Sequence, residues 1–209
     1  MQPDTDILGL IDLQPTFMPG GELPVADGHA IVPVINRLLP RFAHAFATQD
    51  WHPPGHFSFA SAHPGKAPFD MIGDQTLWPD HGIAGTPNAA IHAAIDQARI
   101  EVVIRKGFRP HLDSYSAFFE NDRTTATGLD GWLRQRGIRR IFLTGLATDF
   151  CVGWSAEDAL RIGYDIAIIE DSCRGIGIPT VAGRTTIDDM RDKLAALGCR
   201  FIASGDLAA

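Results

Sequence analysis

Short apolar runs rich in β-branched residues alternate with amphipathic stretches of helical length along most of this chain. The runs predicted as strands are 6–12, 44–50, 100–105, 140–145, 164–170 and 200–203. The stretches predicted as helices are 29–39, 129–136, 151–163 and 181–197. Regular alternation of strands and helices is typical of a parallel sheet with helices on both faces. We therefore predict an α/β fold built on a mainly parallel sheet.

The composition excludes several broad classes of protein. With 209 residues, 45% of them apolar and 21% charged, the chain fits a single globular domain spanning residues 1–209. The net charge of −7 and the absence of a basic run argue against nucleic-acid binding. No apolar run approaches the roughly 18 residues of a membrane span. Three cysteines are too sparse for a disulfide framework, and the N-terminus lacks the basic region of a signal peptide, so we expect a cytoplasmic protein.

Residues 51–90 interrupt the alternation of strands and helices. This stretch holds six of the fourteen prolines and five glycines, without helical or strand periodicity. Irregular loops longer than about 15 residues are uncommon in compact domains and are usually functional or disordered. Disordered segments are poor in aromatic residues, whereas this one is rich in them: Trp51, Phe57, Phe59, Phe69 and Trp78. We predict an ordered active-site loop at about 51–90.

Reactive side chains follow the predicted strands. Asp12 and Asp50 end the first two strands, Lys106 ends the third, and Cys151 follows the fourth at the start of a helix. Ligands of open parallel sheets bind outside the carboxyl ends of the strands. We therefore expect two carboxylates, an ammonium and a thiol to meet at one edge of the sheet.

Cys151 is the candidate nucleophile of this edge. A cysteine is mostly protonated at neutral pH, and both a helix N-terminus and a nearby ammonium favour its thiolate, lowering the pKa to about 3.5–7.5. Lys106 is the candidate ammonium, and Asp12 is the candidate proton carrier. Cys173 and Cys199 are expected to be inert, buried cysteines.

A second group of side chains suits a metal ion. Asp50 and His52 are separated by one residue, so an extended backbone points both side chains the same way. His81 is the best third ligand in the long loop, with His56 a candidate fourth ligand and His63 a spare. Two imidazoles and a carboxylate suit one divalent ion, with Zn²⁺ favoured and Fe²⁺ or Mn²⁺ as alternatives.

At these residues the sequence resembles the nicotinamidase/pyrazinamidase family, within the isochorismatase-like cysteine hydrolases. The motifs that carry the resemblance are IDLQPTF (11–17), TQDWHPPGHFSFA (48–60), LWPDH (77–81), RKGFRPHLDSYSAF (105–118), TGLATDFCV (144–152) and EDSCRGI (170–176). They span nearly the whole chain. The resemblance implies a doubly wound three-layer sandwich with a six-stranded, mainly parallel sheet, and an amidase that hydrolyses nicotinamide, with pyrazinamide as a further substrate, in NAD salvage.

The resemblance also assigns roles to individual residues. It implies the catalytic residues Asp12, Lys106 and Cys151, and the metal ligands Asp50, His52 and His81. It implies an oxyanion hole at the amides of Ala147 and Cys151, a cis peptide at Leu146–Ala147, and substrate contacts from Phe17, Trp78 and Tyr115. The chain departs from many members at Pro15–Thr16, where they have asparagine-aspartate, and at Gly82, where they have cysteine.

Three other functions account for part of these residues. An amidase for ureido or carbamoyl substrates would use the same nucleophile but would not need a metal to anchor a ring nitrogen. A metal-dependent oxygenase would use two histidines and a carboxylate, leaving Asp12, Lys106 and Cys151 without a role. A non-enzymatic scaffold, either metal-stabilised or redox-sensing, would have a reactive thiol at Cys151 and no ammonia release. The sequence leaves the oligomeric state open, a homo-oligomer included.

Overall fold

The computed structural model describes residues 1–207 and contains eight strands and four α-helices within them. The strands are β1 (Asp6–Ile11), β2 (His44–Asp50), β3 (Met71–Ile72), β4 (Gln75–Thr76), β5 (Val102–Lys106), β6 (Arg140–Leu146), β7 (Asp165–Arg174) and β8 (Arg200–Ile202). The helices are α1 (Gly28–Leu38), α2 (Leu129–Gln135), α3 (Cys151–Arg161) and α4 (Thr186–Ala196). Over the described span, no helix is long and apolar enough to cross a membrane.

Six of the strands form one parallel sheet in the order β5-β2-β1-β6-β7-β8. Counted within this sheet alone, the order is 3-2-1-4-5-6, which is that of a doubly wound fold. The chain winds outward in one direction from β1 and in the other from β6, so a crevice opens between their carboxyl ends. The predicted six-stranded parallel sheet is confirmed.

The central strands are buried on both faces. Every residue of β1 is buried, as is every residue of β6 after Arg140. Because successive side chains of a strand point to opposite faces, this burial requires cover on both sides of the sheet. Helices α1 and α3 supply it by packing against β6 and β7, and α4 packs on α3. The core therefore holds the carboxyl ends of β1 and β6 rigidly.

Two predicted boundaries at the C-terminal end of the chain are wrong. The helix predicted at 181–197 begins at Thr186, because Ala182 has a left-handed φ of 57° and Thr185 forms a capping box with Asp188. The strand predicted at 164–170 continues to Arg174, past an irregularity in its pairing with β6. This extension carries β7 to the edge where the candidate site lies.

The long loop between β2 and β5 is held by its own aromatic residues and by a short hairpin. Phe59 and Trp78 are 0% and 2% exposed, whereas Phe69 is 50% exposed. Strands β3 and β4 pair as the hairpin, and Phe59 and Trp78 form an isolated bridge. The backbone of the loop thereby returns to the carboxyl edge of the sheet.

Candidate active site and metal centre

The structure brings Asp12, Lys106 and Cys151 together at the carboxyl edge of the sheet. The Lys106 Nζ lies 2.8 Å from Asp12 Oδ2 and donates to Cys151 Sγ at 3.4 Å. Asp12 and Lys106 are fully buried, and Cys151 is 7% exposed. These three side chains form the acid–lysine–thiol cluster.

Asp12 is fixed by Thr48, with a carboxylate oxygen within 4.8 Å of the Cys151 sulfur. The Thr48 hydroxyl donates to Asp12 Oδ1 at 2.6 Å, and the Asp12 amide donates back to that hydroxyl at 3.1 Å. The other oxygen, Oδ2, is buried and has no hydrogen-bond donor of good geometry, although it is ion-paired with Lys106. An oxygen of this kind can accept a proton.

Lys106 is charged because it is surrounded by acceptors. Its Nζ pairs with Asp12 and Asp50 and donates to the Ser114 carbonyl at 3.0 Å. Burial alone would lower the pKa of this lysine, but the two carboxylates outweigh burial and hold the pKa well above its usual value. The ammonium neutralises part of the negative charge at the site.

The expectation of a lowered pKa at Cys151 is wrong, because the thiol is buried. Burial raises the pKa of Cys151 well above its usual value; Lys106 opposes this rise, and the charges of Asp12 and Asp50 add to it. Burial also raises the pKa of Asp12, against the opposing effect of Lys106. The single positive charge of Lys106 cannot offset the negative charges of two carboxylates and a thiolate. Ionising the thiol therefore requires a proton acceptor, and Asp12 is in place.

Asp50, His52 and His81 form the candidate metal triad. Their ligand atoms lie within 4.8 Å of one another, with Asp50 Oδ2 at 3.6 Å from His52 Nε2 and 3.5 Å from His81 Nε2. Each imidazole donates from Nδ1 to a backbone carbonyl: His52 to Gly107 at 2.8 Å and His81 to Pro79 at 2.7 Å.

These backbone bonds leave both Nε2 lone pairs facing the carboxylate of Asp50. Three acceptors that face one another need a cation between them, and a carbonyl bond at Nδ1 is the usual support of a metal-binding histidine. Burial acts to lower the pKa of His52, but Asp50 outweighs it and raises that pKa. The residues therefore fit a divalent cation.

Asp50 belongs to the metal triad and also contacts Lys106 of the acid–lysine–thiol cluster. Its Oδ1 accepts from Lys106, while its Oδ2 faces the two imidazoles. Burial acts to raise the pKa of Asp50, but Lys106 and His52 outweigh it and hold that pKa well below its usual value. The Gln14 side chain fixes the Asp50 backbone, accepting from its amide at 2.8 Å and donating to its carbonyl at 2.9 Å.

His63 lies outside the metal triad, whereas His56 forms a second group of neighbouring ligand atoms with His52 and Asp113, within 4.8 Å of one another. The His56 Nε2 donates to the Arg109 carbonyl at 2.8 Å, so the lone pair of the neutral ring is on Nδ1, which contacts the Ser58 hydroxyl at 2.8 Å. Both nitrogens are thus engaged, although the ring lies 4.4 Å from that of His52. His63 Nε2 bonds to the Phe57 carbonyl at 2.7 Å.

A pocket with about 350 Å³ of empty space, its open mouth included, lies beside the acid–lysine–thiol cluster and the metal triad, and we call it the ring pocket. The predicted residues that line it are Phe17, Asp50, Trp78, His81, Tyr115, Ala147 and Cys151. Four further lining residues were not expected from the sequence: Leu23, Asp113, Phe150 and Ile176. Asp113, Phe150 and Ile176 lie within quoted motifs, which was an available signal, whereas Leu23 comes from an irregular loop outside them.

Aromatic contacts define the shape of the ring pocket. Trp78 Nε1 donates to the Tyr115 hydroxyl at 3.0 Å, and the Trp78 ring meets that of Phe150 edge-on at 4.9 Å. Phe17 meets His81 edge-on at 5.5 Å. These contacts leave a narrow space suited to a flat ring.

The backbone before the nucleophile makes a tight turn beside the ring pocket. The peptide Leu146–Ala147 is cis, as the family resemblance implies. Gly145 has a φ of 117°, and a Cβ there would lie 2.1 Å from the Ile11 carbonyl oxygen, so only glycine fits. Over residues 1–207, no turn or loop hydrogen bond uses the Ala147 or Cys151 amide. Both amides can therefore serve an incoming oxygen.

The two departures from the family pattern contact each other. The Gly82 amide donates to the Thr16 hydroxyl at 3.0 Å. Gly82 has a φ of 53°, and a Cβ there would come within 2.9 Å of Asp50 Cβ. In this chain a glycine and a threonine thus fix the backbone next to His81.

The chain is similar to known proteins over most of its length. The family model for the isochorismatase domain matches residues 6–197. The nicotinamidase of Acinetobacter baylyi is 48% identical over 84% of this chain and 84% of its own length, and that of Escherichia coli is 45% identical over 81% and 83%. A ureidoacrylate amidohydrolase of Variovorax paradoxus matches only 30% of this chain and 23% of its own length.

Solved structures resemble the chain over nearly its whole length. A nicotinamidase/pyrazinamidase of Acinetobacter baumanii superposes with a TM-score of 0.93 at 44% identity, covering 100% of both chains. An L. infantum protein in complex with nicotinate has a TM-score of 0.86 at 36% identity, covering 100% and 97%. A Pyrococcus horikoshii pyrazinamidase in complex with zinc has a TM-score of 0.78 at 30% identity, covering 95% and 98%. This chain therefore belongs to the isochorismatase family and, within it, to the nicotinamidases.

Proposed function

We propose that this protein hydrolyses nicotinamide to nicotinate and ammonia through a thioester on Cys151, with pyrazinamide as a second substrate, and so serves NAD salvage. The single observation that carries the proposal is the contact of Asp12, Lys106 and Cys151 beside an aromatic pocket that also reaches a metal triad. Relatives named nicotinamidase and a structural neighbour that holds nicotinate support the choice of substrate.

Substrate binding in this proposal uses the ring pocket. The aromatic side chains of Phe17 and Trp78 hold the flat ring, with Tyr115 supporting Trp78 through its hydroxyl. A metal ion held by Asp50, His52 and His81 would supply a Lewis-acid contact for the ring nitrogen. The carboxamide then lies at Cys151, between the thiol and the two backbone amides of the turn.

Acylation begins when Asp12 Oδ2 takes the proton of the Cys151 thiol. The sulfur forms a bond to the amide carbon, and the Ala147 and Cys151 amides stabilise the oxyanion; losing one such donor typically costs about 2.7–4 kcal/mol. Asp12 returns the proton to the amide nitrogen, the carbon–nitrogen bond breaks, and ammonia leaves. Lys106 stays charged throughout and balances the negative charge that moves between Asp12 and the sulfur.

Deacylation uses the same residues with water as the nucleophile. Water attacks the thioester carbon while Asp12 removes one of its protons, and the carbon–sulfur bond breaks. The thiolate recovers the proton from Asp12, which restores the resting site and releases nicotinic acid, and this acid loses its remaining proton to solvent to give nicotinate.

The metal and the cellular setting are part of the proposal. Zinc is the favoured ion, supported by the zinc-bound pyrazinamidase neighbour, with Fe²⁺ and Mn²⁺ as alternatives that share the ligand set. The cytoplasm is the proposed location, since the three cysteines are free. Metal analysis of the purified protein identifies the ion.

The decisive experiment measures ammonia released from nicotinamide by the wild-type protein and by Cys151→Ala. We expect turnover by the wild type, none by the variant, and the same metal content in both, because the thiol is outside the metal triad. An N-carbamoyl amino acid assayed in parallel should be a poor substrate. Ammonia release from it but not from nicotinamide would replace this proposal with a carbamoyl amidase.

A further inference from the structure

Asp149, two residues before the nucleophile, has a fully engaged carboxylate that the proposed mechanism does not use. The side chain is 3% exposed. Its Oδ1 accepts from the Ile176 amide at 2.9 Å, and its Oδ2 accepts from the Gly177 amide at 2.9 Å and from the Thr186 hydroxyl. One carboxylate thus joins the nucleophile turn, the loop after β7 and the start of α4.

The loop after β7 depends on this carboxylate for its shape. Three consecutive amides of the loop donate to side chains: those of Ile176 and Gly177 to Asp149, and that of Ile178 to Thr186 at 3.0 Å. The loop also passes very close to Asp149, because a Cβ at Gly175 would lie 3.0 Å from its Oδ1. Removing the carboxylate would leave two adjacent amides without an acceptor.

The loop matters to the proposed reaction because Ile176 lines the ring pocket together with Phe17, Trp78 and Cys151. Asp149 itself is absent from the pocket lining, and both of its oxygens already accept hydrogen bonds. It therefore acts through Ile176 and not on the substrate.

We propose that Asp149 is a positioning residue that holds Ile176 as a wall of the ring pocket, and that this wall limits which substituted rings the enzyme accepts. The inference deepens the proposed function and rests on it. A methyl group that meets a rigid apolar wall is discriminated by about 10- to 200-fold. Selectivity among ring-methylated amides thus reports directly on how firmly Ile176 is held.

The test measures kcat/KM for nicotinamide and for 2-, 4-, 5- and 6-methylnicotinamide. In Ile176→Ala, at least one methylated amide should gain about 10-fold or more relative to nicotinamide, because the wall is removed. Asp149→Ala should shift selectivity toward the same methylated amide and raise KM for nicotinamide more than it lowers kcat. Asp149→Asn, which keeps one acceptor oxygen, should fall between Asp149→Ala and the wild type.

Thr186→Val is the matched control. It removes the hydroxyl that donates to Asp149 and accepts from the Ile178 amide, but it leaves both bonds of Asp149 to the Ile176 and Gly177 amides. Because those two bonds hold Ile176 in the proposal, the selectivity of this variant should stay closer to the wild type than that of Asp149→Ala. Wild-type selectivity in Ile176→Ala or in either Asp149 variant would overturn the inference. If Asp149→Ala does not fold, Asp149→Asn and Ile176→Ala decide. Failure of the proposed function would instead appear in the wild type, as no ammonia release from nicotinamide.

Discussion

At the scale of single residues, two neighbouring histidines have opposite hydrogen-bond arrangements. His52 uses Nδ1 on a carbonyl and leaves Nε2 facing Asp50, whereas His56 donates from Nε2 to a carbonyl and contacts Ser58 through Nδ1. Both rings are buried. The two histidines therefore differ in whether a nitrogen lone pair is available to a metal ion, and not in how exposed their rings are.

We expect His52→Ala to lower metal affinity by at least about 10-fold, the size of effect seen even for residues that only support a ligand. His56→Ala, the matched control, should keep the metal content of the wild type because its ring offers no free lone pair. Elemental analysis after dialysis measures both. Equal metal loss in the two variants would make His56 a ligand.

The raised pKa of Asp12 predicts an acid limb in the activity profile. As the pH falls through that pKa, Asp12 becomes protonated and can no longer take the thiol proton, so kcat/KM should fall. Because burial raises the pKa, the fall should begin at a pH above that expected from the ordinary value of 3.8. Its midpoint belongs to the coupled group of Asp12, Asp50, Lys106 and Cys151.

The control for this profile is the metal content at each pH, since protonated histidines would release the ion. A constant metal content with declining kcat/KM supports Asp12 as the titrating acid. A midpoint at or below 3.8 with metal retained would contradict the raised pKa.

At the scale of secondary structure, the start of α4 is set by one cap. The Thr185 hydroxyl accepts from the Asp188 amide at 3.4 Å, and Asp188 Oδ2 accepts from the Thr185 amide at 2.8 Å. Helix caps of this kind satisfy amides that have no partner within the helix. The helix cannot extend back to Val181 because Ala182 is left-handed.

Thr185→Ala should therefore reduce the free energy of unfolding by about 1 kcal/mol. Thr185→Ser, which keeps the hydroxyl, is the control and should retain most of the stability. Denaturant unfolding of both variants at one pH measures the difference. An alanine variant as stable as the wild type would show that the cap contributes nothing.

The sequence was sufficient for the elements with a clear period and for the side chains at strand ends. Asp12, Asp50, Lys106 and Cys151 could be placed together because parallel strands end at one edge of the sheet. Ile176 ends the quoted motif EDSCRGI, but its place in the ring pocket could not be predicted, since the shape of its loop is set by Asp149, a contact between residues far apart in the chain. The thiol pKa was predicted wrongly because burial outweighs the single ammonium.

At the scale of the whole molecule, the candidate metal triad joins the sheet to the long loop. Asp50 ends β2, whereas His81 belongs to the loop at 51–90, so an ion held by both would tie the two together. A ligand that binds only the folded state stabilises it by mass action, by about 2.7 kcal/mol at 100 times its Kd.

Removal of metal with a chelator should therefore lower the Tm and abolish ammonia release, and added Zn²⁺ should restore both. His52→Ala is the control, since its weakened site should need more zinc than the wild type for the same rise in Tm. A metal-loaded wild-type protein whose Tm is unchanged after the metal is removed would contradict a role for the ion in holding the loop.

Asp50 has a consequence for the genetics of this protein, because its two oxygens serve different partners. Strains whose alleles weaken only His52 or His81 should regain growth on nicotinamide when the medium is supplemented with zinc. Alleles at Asp12 should not respond to supplementation, although their protein still carries the ion. Alleles at Asp50 should combine both defects: an empty site, and no rescue when it is refilled.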